Sequence, residues 1–244
     1  MRDVNPKKAL QQHLQMEDFF TGDFTIRSRF GKQEQRQSKT SADKDVIVEL
    51  EKIAEEVRRC RKCGLGSSRT NAVPGEGNPN AGIMFVGEGP GADEDAQGRP
   101  FVGRAGQLLD KIITAMGLKR EDVYICNILK CRPPENRDPK PEEIINCLPY
   151  LQKQIELINP EIIVALGAHA ARALLNDNKS IGQLRGIFHE YYPGIGKPPI
   201  KLMATYHPAY LLRNYSHENR QRVWEDMKRV LEELSLPIPE KEKK

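Results

Sequence analysis

Four short apolar runs punctuate the chain: Ile83-Met-Phe-Val-Gly, Val123-Tyr-Ile-Cys-Asn-Ile, Ile162-Ile-Val-Ala-Leu-Gly and Ile200-Lys-Leu-Met-Ala-Thr. Between them, apolar positions recur every three or four residues at about 105–116, 141–158, 168–175 and 217–234. A further helical repeat begins near Asp45, where Ile47, Leu50, Ile53, Ala54 and Val57 share one face. Continuous apolar runs of this length predict strands buried on both faces, and helices between them imply parallel pairing. The expected fold is α/β: a three-layer α/β/α domain around a central four-stranded parallel sheet. Ligands of such sheets bind beyond the carboxyl ends of the strands. Here the first, second and fourth runs each lead into a conspicuous polar sequence.

Residues 1–45 lack this periodicity and predict a disordered or loosely ordered tail, interrupted by one island, Gln15-Met-Glu-Asp-Phe-Phe. The domain is expected over 46–236, and 237–244 reads as a charged, frayed end. At 244 residues and 38% hydrophobic content, one domain with a sizeable core is expected. The net charge of +4 permits nucleic-acid binding without establishing it. A single Trp and an aromatic content of 6% argue against a wide base-stacking platform.

The cysteines change the picture. Cys60 and Cys63 stand two residues apart in Cys-Arg-Lys-Cys-Gly-Leu-Gly, and Cys131 and Cys147 follow at a distance. Four such thiolates suit either zinc or an iron–sulfur cluster. Disulfides are the competing explanation. The polar opening Met1-Arg-Asp-Val-Asn-Pro-Lys-Lys and the lack of a membrane-length apolar run lead to an expected cytoplasmic location without membrane attachment. Stable disulfides are disfavoured there. Cys126, inside the second apolar run, reads as a small buried hydrophobe outside the set.

The sequences after the strands carry the remaining chemistry. Gly87-Glu-Gly-Pro-Gly-Ala-Asp-Glu-Asp is glycine-rich, but it lacks a Gly-Lys-Ser/Thr element and its acidic residues would repel phosphate, so it is not a nucleotide-phosphate loop. Asn127, at the end of the second run, can read a base edge with two hydrogen bonds or simply form a turn. His207 precedes a proline, which restrains it to an extended conformation and fixes the direction of its ring. Leu211-Leu212-Arg213 reads either as an apolar tip beside a cation, suited to insertion into DNA, or as an ordinary helix start with core leucines.

In their order along the chain, these pieces closely resemble the family 4 uracil-DNA glycosylases, from about Cys60 to Glu233. The resemblance rests on the Cys-x-x-Cys pair, Gly-Glu-Gly-Pro-Gly with the later Gly-Arg-Pro-Phe-Val-Gly, Asn-Ile-Leu-Lys-Cys-Arg-Pro-Pro, the Cys147 helix with Leu157-Ile-Asn-Pro-Glu-Ile-Ile-Val-Ala-Leu-Gly, and His-Pro-Ala-Tyr-Leu-Leu-Arg. It implies a 4Fe-4S cluster on Cys60, Cys63, Cys131 and Cys147. It also implies a uracil pocket using Glu88, Gly89, Glu94, Phe101, Asn127 and His207. Phe101 would stack on an extruded uracil and Asn127 would read its N3–H and O4. His207 would stabilise charge developing at O2.

Where the better-known family 1 enzymes carry an Asp in the turn after the first strand, this chain has Gly89. Glu88 or Glu94 is then the candidate for orienting water, with Glu94 expected to exclude the methyl of thymine. A related group traps DNA covalently through a histidine after the Asn motif. Cys131-Arg-Pro-Pro-Glu-Asn-Arg-Asp-Pro has none, so turnover is expected. The expected activity is monofunctional: uracil leaves single- or double-stranded DNA and an abasic site remains. The expected protein is a monomer whose cluster is structural, with Arg58, Arg59, Arg61, Lys62, Arg132 and Arg137 around it directed toward phosphates. Gln15, Met16, Phe19 and Phe20 resemble the short peptides with which repair proteins dock on sliding clamps. The rival readings are a non-catalytic DNA-binding module with a four-cysteine metal site and an electron-transfer protein.

Overall fold

The computed structural model describes Phe20, Phe24–Thr25 and residues 41–241. The chain opens with β1 (Phe24–Thr25), α1 (Ser41–Arg59), the short α2 (Leu65–Ser68), β2 (Glu76–Gly77) and β3 (Ile83–Gly87). It continues through α3 (Ala92–Gln97), α4 (Arg104–Ala115), β4 (Tyr124–Asn127), α5 (Pro141–Ile158), β5 (Ile162–Leu166) and α6 (Ala168–Leu175). It closes with α7 (Ile181–Leu184), β6 (Phe188–Tyr191), β7 (Ile200–Thr205), α8 (Pro208–Arg213), α9 (His217–Glu233) and β8 (Glu240–Lys241).

The four strands expected from the apolar runs are β3, β4, β5 and β7. They form the parallel centre of a sheet ordered β2-β4-β3-β5-β7-β6. Two edge strands extend the expected four to six: β2 runs antiparallel to β4, and β6 antiparallel to β7. Both are short and partly exposed, so neither carries a continuous apolar signal.

Alternation along the strands divides the core in two. Phe85, Ile125, Val164 and Met203 pack on one face against Leu109 and Ile113 of α4 and Met227 and Val230 of α9. Met84, Val86, Ile163, Leu202 and Ala204 pack on the other against Leu151 and Ile155 of α5 and Ala170 and Leu174 of α6. Cys126 lies in this second cluster, fully buried. A third, smaller cluster joins Ile53 and Val57 of α1 to Tyr150 of α5, Leu129 and the cysteines.

Among the described residues of 1–45, Phe20 is 1% exposed within the first core cluster, and β1 pairs antiparallel with β8. Gln15, Met16 and Phe19 lie outside the described residues. Burial of Phe20 removes that ring from any clamp-docking surface, which corrects the peptide expectation at this position. The first helix begins at Ser41, five residues before the expected boundary at 46.

Strand order reverses about β3. The chain passes from β3 to β4 on one side, then crosses by α5 to β5 on the other. A crevice opens at this switch point, beyond the carboxyl ends of the strands.

Candidate active site

A pocket of about 430 Å³ occupies this crevice. Its walls contain Glu88, Gly89, Glu94, Phe101, Asn127, His207 and Arg213, so the turns after β3, β4 and β7 converge as their sequences suggest. The turn after β5 contributes as well, through Gly167 and His169. Sequence reasoning passed over that turn because Gly-Ala-His offers no marked polar cluster. Its position directly after a central strand was the signal.

Asn127 ends β4 beside Gly87 in the parallel register. It is 1% exposed, and its Oδ1 has no hydrogen-bond partner. A buried carbonyl left without a donor costs roughly 1–3 kcal/mol, which a ligand N–H can recover. Gly87 makes this placement possible. A Cβ there would stand 2.4 Å from Asn127 Oδ1 and 2.5 Å from Cζ of Phe101.

Phe101 adopts a left-handed backbone conformation (φ 49°), uncommon for a bulky residue, and its ring lies 5.7 Å from that of His207. Both sides of the turn are held. Glu94 Oε1 accepts from the amides of Val102 and Gly103, each at 2.9 Å, while Oε2 accepts from Gly91 N–H at 3.1 Å. From the opposite side, Arg120 donates to the carbonyls of Pro100 (2.6 Å) and Phe101 (3.2 Å). Arg120 is itself fixed by Glu76 and Asp110. Both Glu94 oxygens are thus committed to backbone donors. This gives Glu94 a bracing geometry at the pocket wall.

His207 caps α8: its Nδ1 accepts from Ala209 N–H at 3.0 Å. That bond requires an unprotonated Nδ1, so the neutral ring carries its proton on Nε2. Burial, with a smaller contribution from the Arg213 cation and a partial offset from Glu94, lowers its pKa to about 4. The ring is therefore a neutral donor at physiological pH. Gly167, at φ 91°, lets β5 turn beneath it, since a Cβ there would stand 3.0 Å from His207 Cβ.

Glu88 is half-buried at the pocket mouth. Burial raises its pKa; His169 and Arg213 counteract this and Asp138 adds to it. His169 Nε2 lies 3.9 Å from Glu88 Oε2 and 3.7 Å from Asp138 Oδ1. Gly89 lies close to Leu129, which a Cβ would approach to 3.3 Å.

The expected DNA-inserting tip requires correction. Leu211 is 1% exposed and belongs to the first core cluster, and Leu212 packs half-buried against it. Extruding a buried leucine costs roughly 1.5–3 kcal/mol, so Leu211 is a core residue. Arg213 alone of the three is exposed and lines the pocket.

Cys60, Cys63, Cys131 and Cys147 surround one small cavity together with Val57, Arg69, Lys130 and Tyr150, and all five cysteines of the chain are free thiols. α1 delivers the first pair at its end, the turn after β4 delivers Cys131, and α5 delivers Cys147. Four thiols around one cavity are the donor set of an iron–sulfur cluster or of a zinc ion. Lys130 N–H donates to Cys147 Sγ at 3.1 Å, and Arg69 Nη1 to Cys131 Sγ at 2.9 Å.

Several nearby cations are already engaged. Arg58 and Arg59 pair with Glu51 and Glu55, Arg137 with Glu143, and Lys62 lies over the Tyr150 ring. Arg61 donates to Gly66 O, and Arg132 to Asn136. The ion pairs offset the charge of Arg58, Arg59 and Arg137, while Arg61, Lys62 and Arg132, on neutral partners, keep theirs.

A doubly wound domain with a pocket at its switch point has a counterpart in one family model. The model described as "Uracil DNA glycosylase superfamily" matches residues 74–228, a span that holds every residue of the pocket wall. The Type-4 uracil-DNA glycosylase of Thermotoga maritima is 50% identical over 182 residues, covering 74% of this chain and 92% of that protein. The Type-4 uracil-DNA glycosylase of Saccharolobus solfataricus is 50% identical over 191 residues, covering 76% and 87%. A Type-5 uracil-DNA glycosylase of Pyrobaculum aerophilum is 36% identical over 154 residues. The chain belongs to the uracil-DNA glycosylase superfamily and, within it, to the type-4 family.

Proposed function

We propose that this protein is a monofunctional uracil-DNA glycosylase that hydrolyses the N-glycosidic bond of deoxyuridine in DNA, releasing uracil and leaving an abasic site. The observation that carries the reading is the buried, unpartnered Asn127 Oδ1 in a pocket shared with a neutral histidine donor. An extruded uracil offers N3–H to Oδ1 and O4 to the Asn127 amide, and cytosine offers the reverse pattern at both positions. Phe101 supplies the stacking surface.

As the C1′–N1 bond lengthens, negative charge gathers on uracil O2 and the sugar becomes cationic. His207 Nε2–H donates to O2, and the bond strengthens as charge develops, which favours the transition state over the bound substrate. A neutral donor suffices, in keeping with a ring whose pKa lies well below the usual histidine value. Glu88 orients the water and faces the cationic sugar, because the Glu94 oxygens are committed to the backbone. Glu94 is a positioning residue that holds the Phe101 turn, and Gly89, whose missing Cβ lets it pack closely on Leu129, brings its backbone to the pocket wall.

Cys60, Cys63, Cys131 and Cys147 would hold a 4Fe-4S cluster. Such a cluster would supply covalent cross-links among the three ligand segments, and the hydrolysis needs no electron from it. Free cysteines suit the reducing cytoplasm, which is the compartment we infer. Among the described residues no helix is long and apolar enough to cross a membrane.

The test incubates purified protein with an oligonucleotide containing one deoxyuridine, in single- and double-stranded form. Alkali should then break the strand at the uracil, while untreated strand stays intact. No break after alkali, beside an active control enzyme, rejects the glycosylase reading and leaves a binding module. A break without alkali rejects the monofunctional mechanism. Asn127→Ala should lower kcat/KM by about 10²-fold, the cost of one well-placed polar contact in a closed site.

A further inference from the structure

Arg69 stands just beyond α2, and its guanidinium gathers acceptors from distant parts of the chain. Nη1 donates to Cys131 Sγ (2.9 Å) and to Val57 O (3.0 Å), and Nη2 donates to Arg58 O and Cys60 O (3.3 Å). The three carbonyls lie at the end of α1 and in the turn beginning at Cys60, where backbone acceptors have lost their helical partners. A planar fork of five donors can serve all four acceptors at once, which a lysine cannot. One side chain therefore joins the segment bearing Cys60 and Cys63 to a ligand 62 residues away.

The next two residues reach α3, which borders the pocket through Glu94. The amides of Thr70 (2.9 Å) and Asn71 (3.3 Å) donate to the buried carboxylate of Asp95, and Asn71 Nδ2 donates to the carbonyls of Asp95 (2.9 Å) and Ala96 (3.0 Å). Asp95 neighbours Glu94, whose Oε1 holds the amides of Val102 and Gly103 beside Phe101.

We propose that Arg69 is a positioning residue for the metal centre, and that the Arg69–Asn71 segment couples that centre to the Phe101 wall of the pocket. The proposal rests on the cluster reading above. A cationic N–H donor on a ligand sulfur stabilises the more negative, reduced cluster and so raises its reduction potential. Loss of the fork also frees Cys131 from the Cys60 turn.

The test compares wild-type protein with Arg69→Gln and Arg69→Lys, all purified without oxygen. Three properties are read: the rate at which the visible absorbance bleaches with an iron chelator, the midpoint potential, and hydrogen exchange at the Val102 and Gly103 amides. Arg69→Gln should bleach about tenfold faster, the usual scale for losing a partner of a metal ligand. It should also have a lower potential and exchange faster at those two amides, with β5 unchanged. Arg69→Lys should fall between the two, and carries the same test if Arg69→Gln is insoluble. Bleaching and potential equal to wild type in the soluble variant overturn the role of Arg69. Unchanged exchange at Val102 and Gly103 overturns the coupling. Wild-type protein that carries neither iron nor acid-labile sulfide defeats the cluster reading instead.

Discussion

Gly87→Ala adds one methyl group at the point where β3 meets the pocket. The new Cβ would stand 2.4 Å from Asn127 Oδ1 and 2.5 Å from the Phe101 ring, against an ordinary contact of 3.4 Å or more. One or both side chains must retreat by about 1 Å. Neither has slack: Asn127 is 1% exposed, and the Phe101 turn is held between Glu94 and Arg120. Overpacking of this kind costs about 1–3 kcal/mol, and a 1 Å misplacement in an active site costs about 10²-fold in rate. For 2 kcal/mol in a domain of this size, the melting temperature should fall by about 4–8 °C. The assay measures kcat/KM for uracil release from a single-deoxyuridine oligonucleotide, alongside thermal melting followed by circular dichroism. Gly182→Ala is the control, because its Cβ meets nothing closer than 3.9 Å and lies within α7. Gly87→Ala with kcat/KM within threefold of wild type would refute the argument that a missing side chain shapes the base-reading wall.

Three further outcomes are expected. Because the folded pKa of His207 is about 4, below the 6.5 of an unperturbed histidine, the unfolded chain takes up the proton first. The resulting loss of stability is absent above pH 6.5 and grows as pH falls toward 4. It reaches about 2 kcal/mol at pH 5. Denaturant titrations at pH 7 and pH 5 should show that extra loss in wild type and not in His207→Asn; equal losses would contradict a buried neutral ring. Cys147→Ala removes a buried ligand from α5 and should abolish iron binding and soluble expression, so a soluble, fully active variant would show that the centre is dispensable. Glu94→Ala frees the amides of Val102 and Gly103 and should raise KM for uracil DNA without admitting thymine. Thymine excision by that variant would restore the wall against the methyl group.

Much of the architecture was legible in the chain. β3, β4, β5 and β7 are continuous apolar runs because both faces of each are covered, and α4, α5, α6 and α9 repeat at helical spacing because each buries one face. Asn127, His207 and the turn after Gly87 were visible because strand ends in such sheets face ligands. The edge strands β2 and β6 were not legible: a two-residue strand and a half-exposed one have no apolar signature. The sequence Leu211-Leu212-Arg213 suits a DNA tip and a core helix equally well. Packing decided between them, because only the fold reveals that Leu211 is buried in the core cluster that α4 and α9 line.

Sequence alone determined the central strands and their parallel direction, the main helices and the identity of the chemical groups, since these depend on periodicity and residue type within short windows. Tertiary structure decided what those groups can do. Glu88 and Glu94 are alike as carboxylates six positions apart, yet one faces the pocket beside His169 and the other is bound to three backbone amides. Two members of the cysteine set are neighbours in the chain, but Cys131 and Cys147 join them around one cavity only when α1, α5 and the turn after β4 pack together. Spacing between residues distant in sequence follows from packing, and no local pattern encodes it.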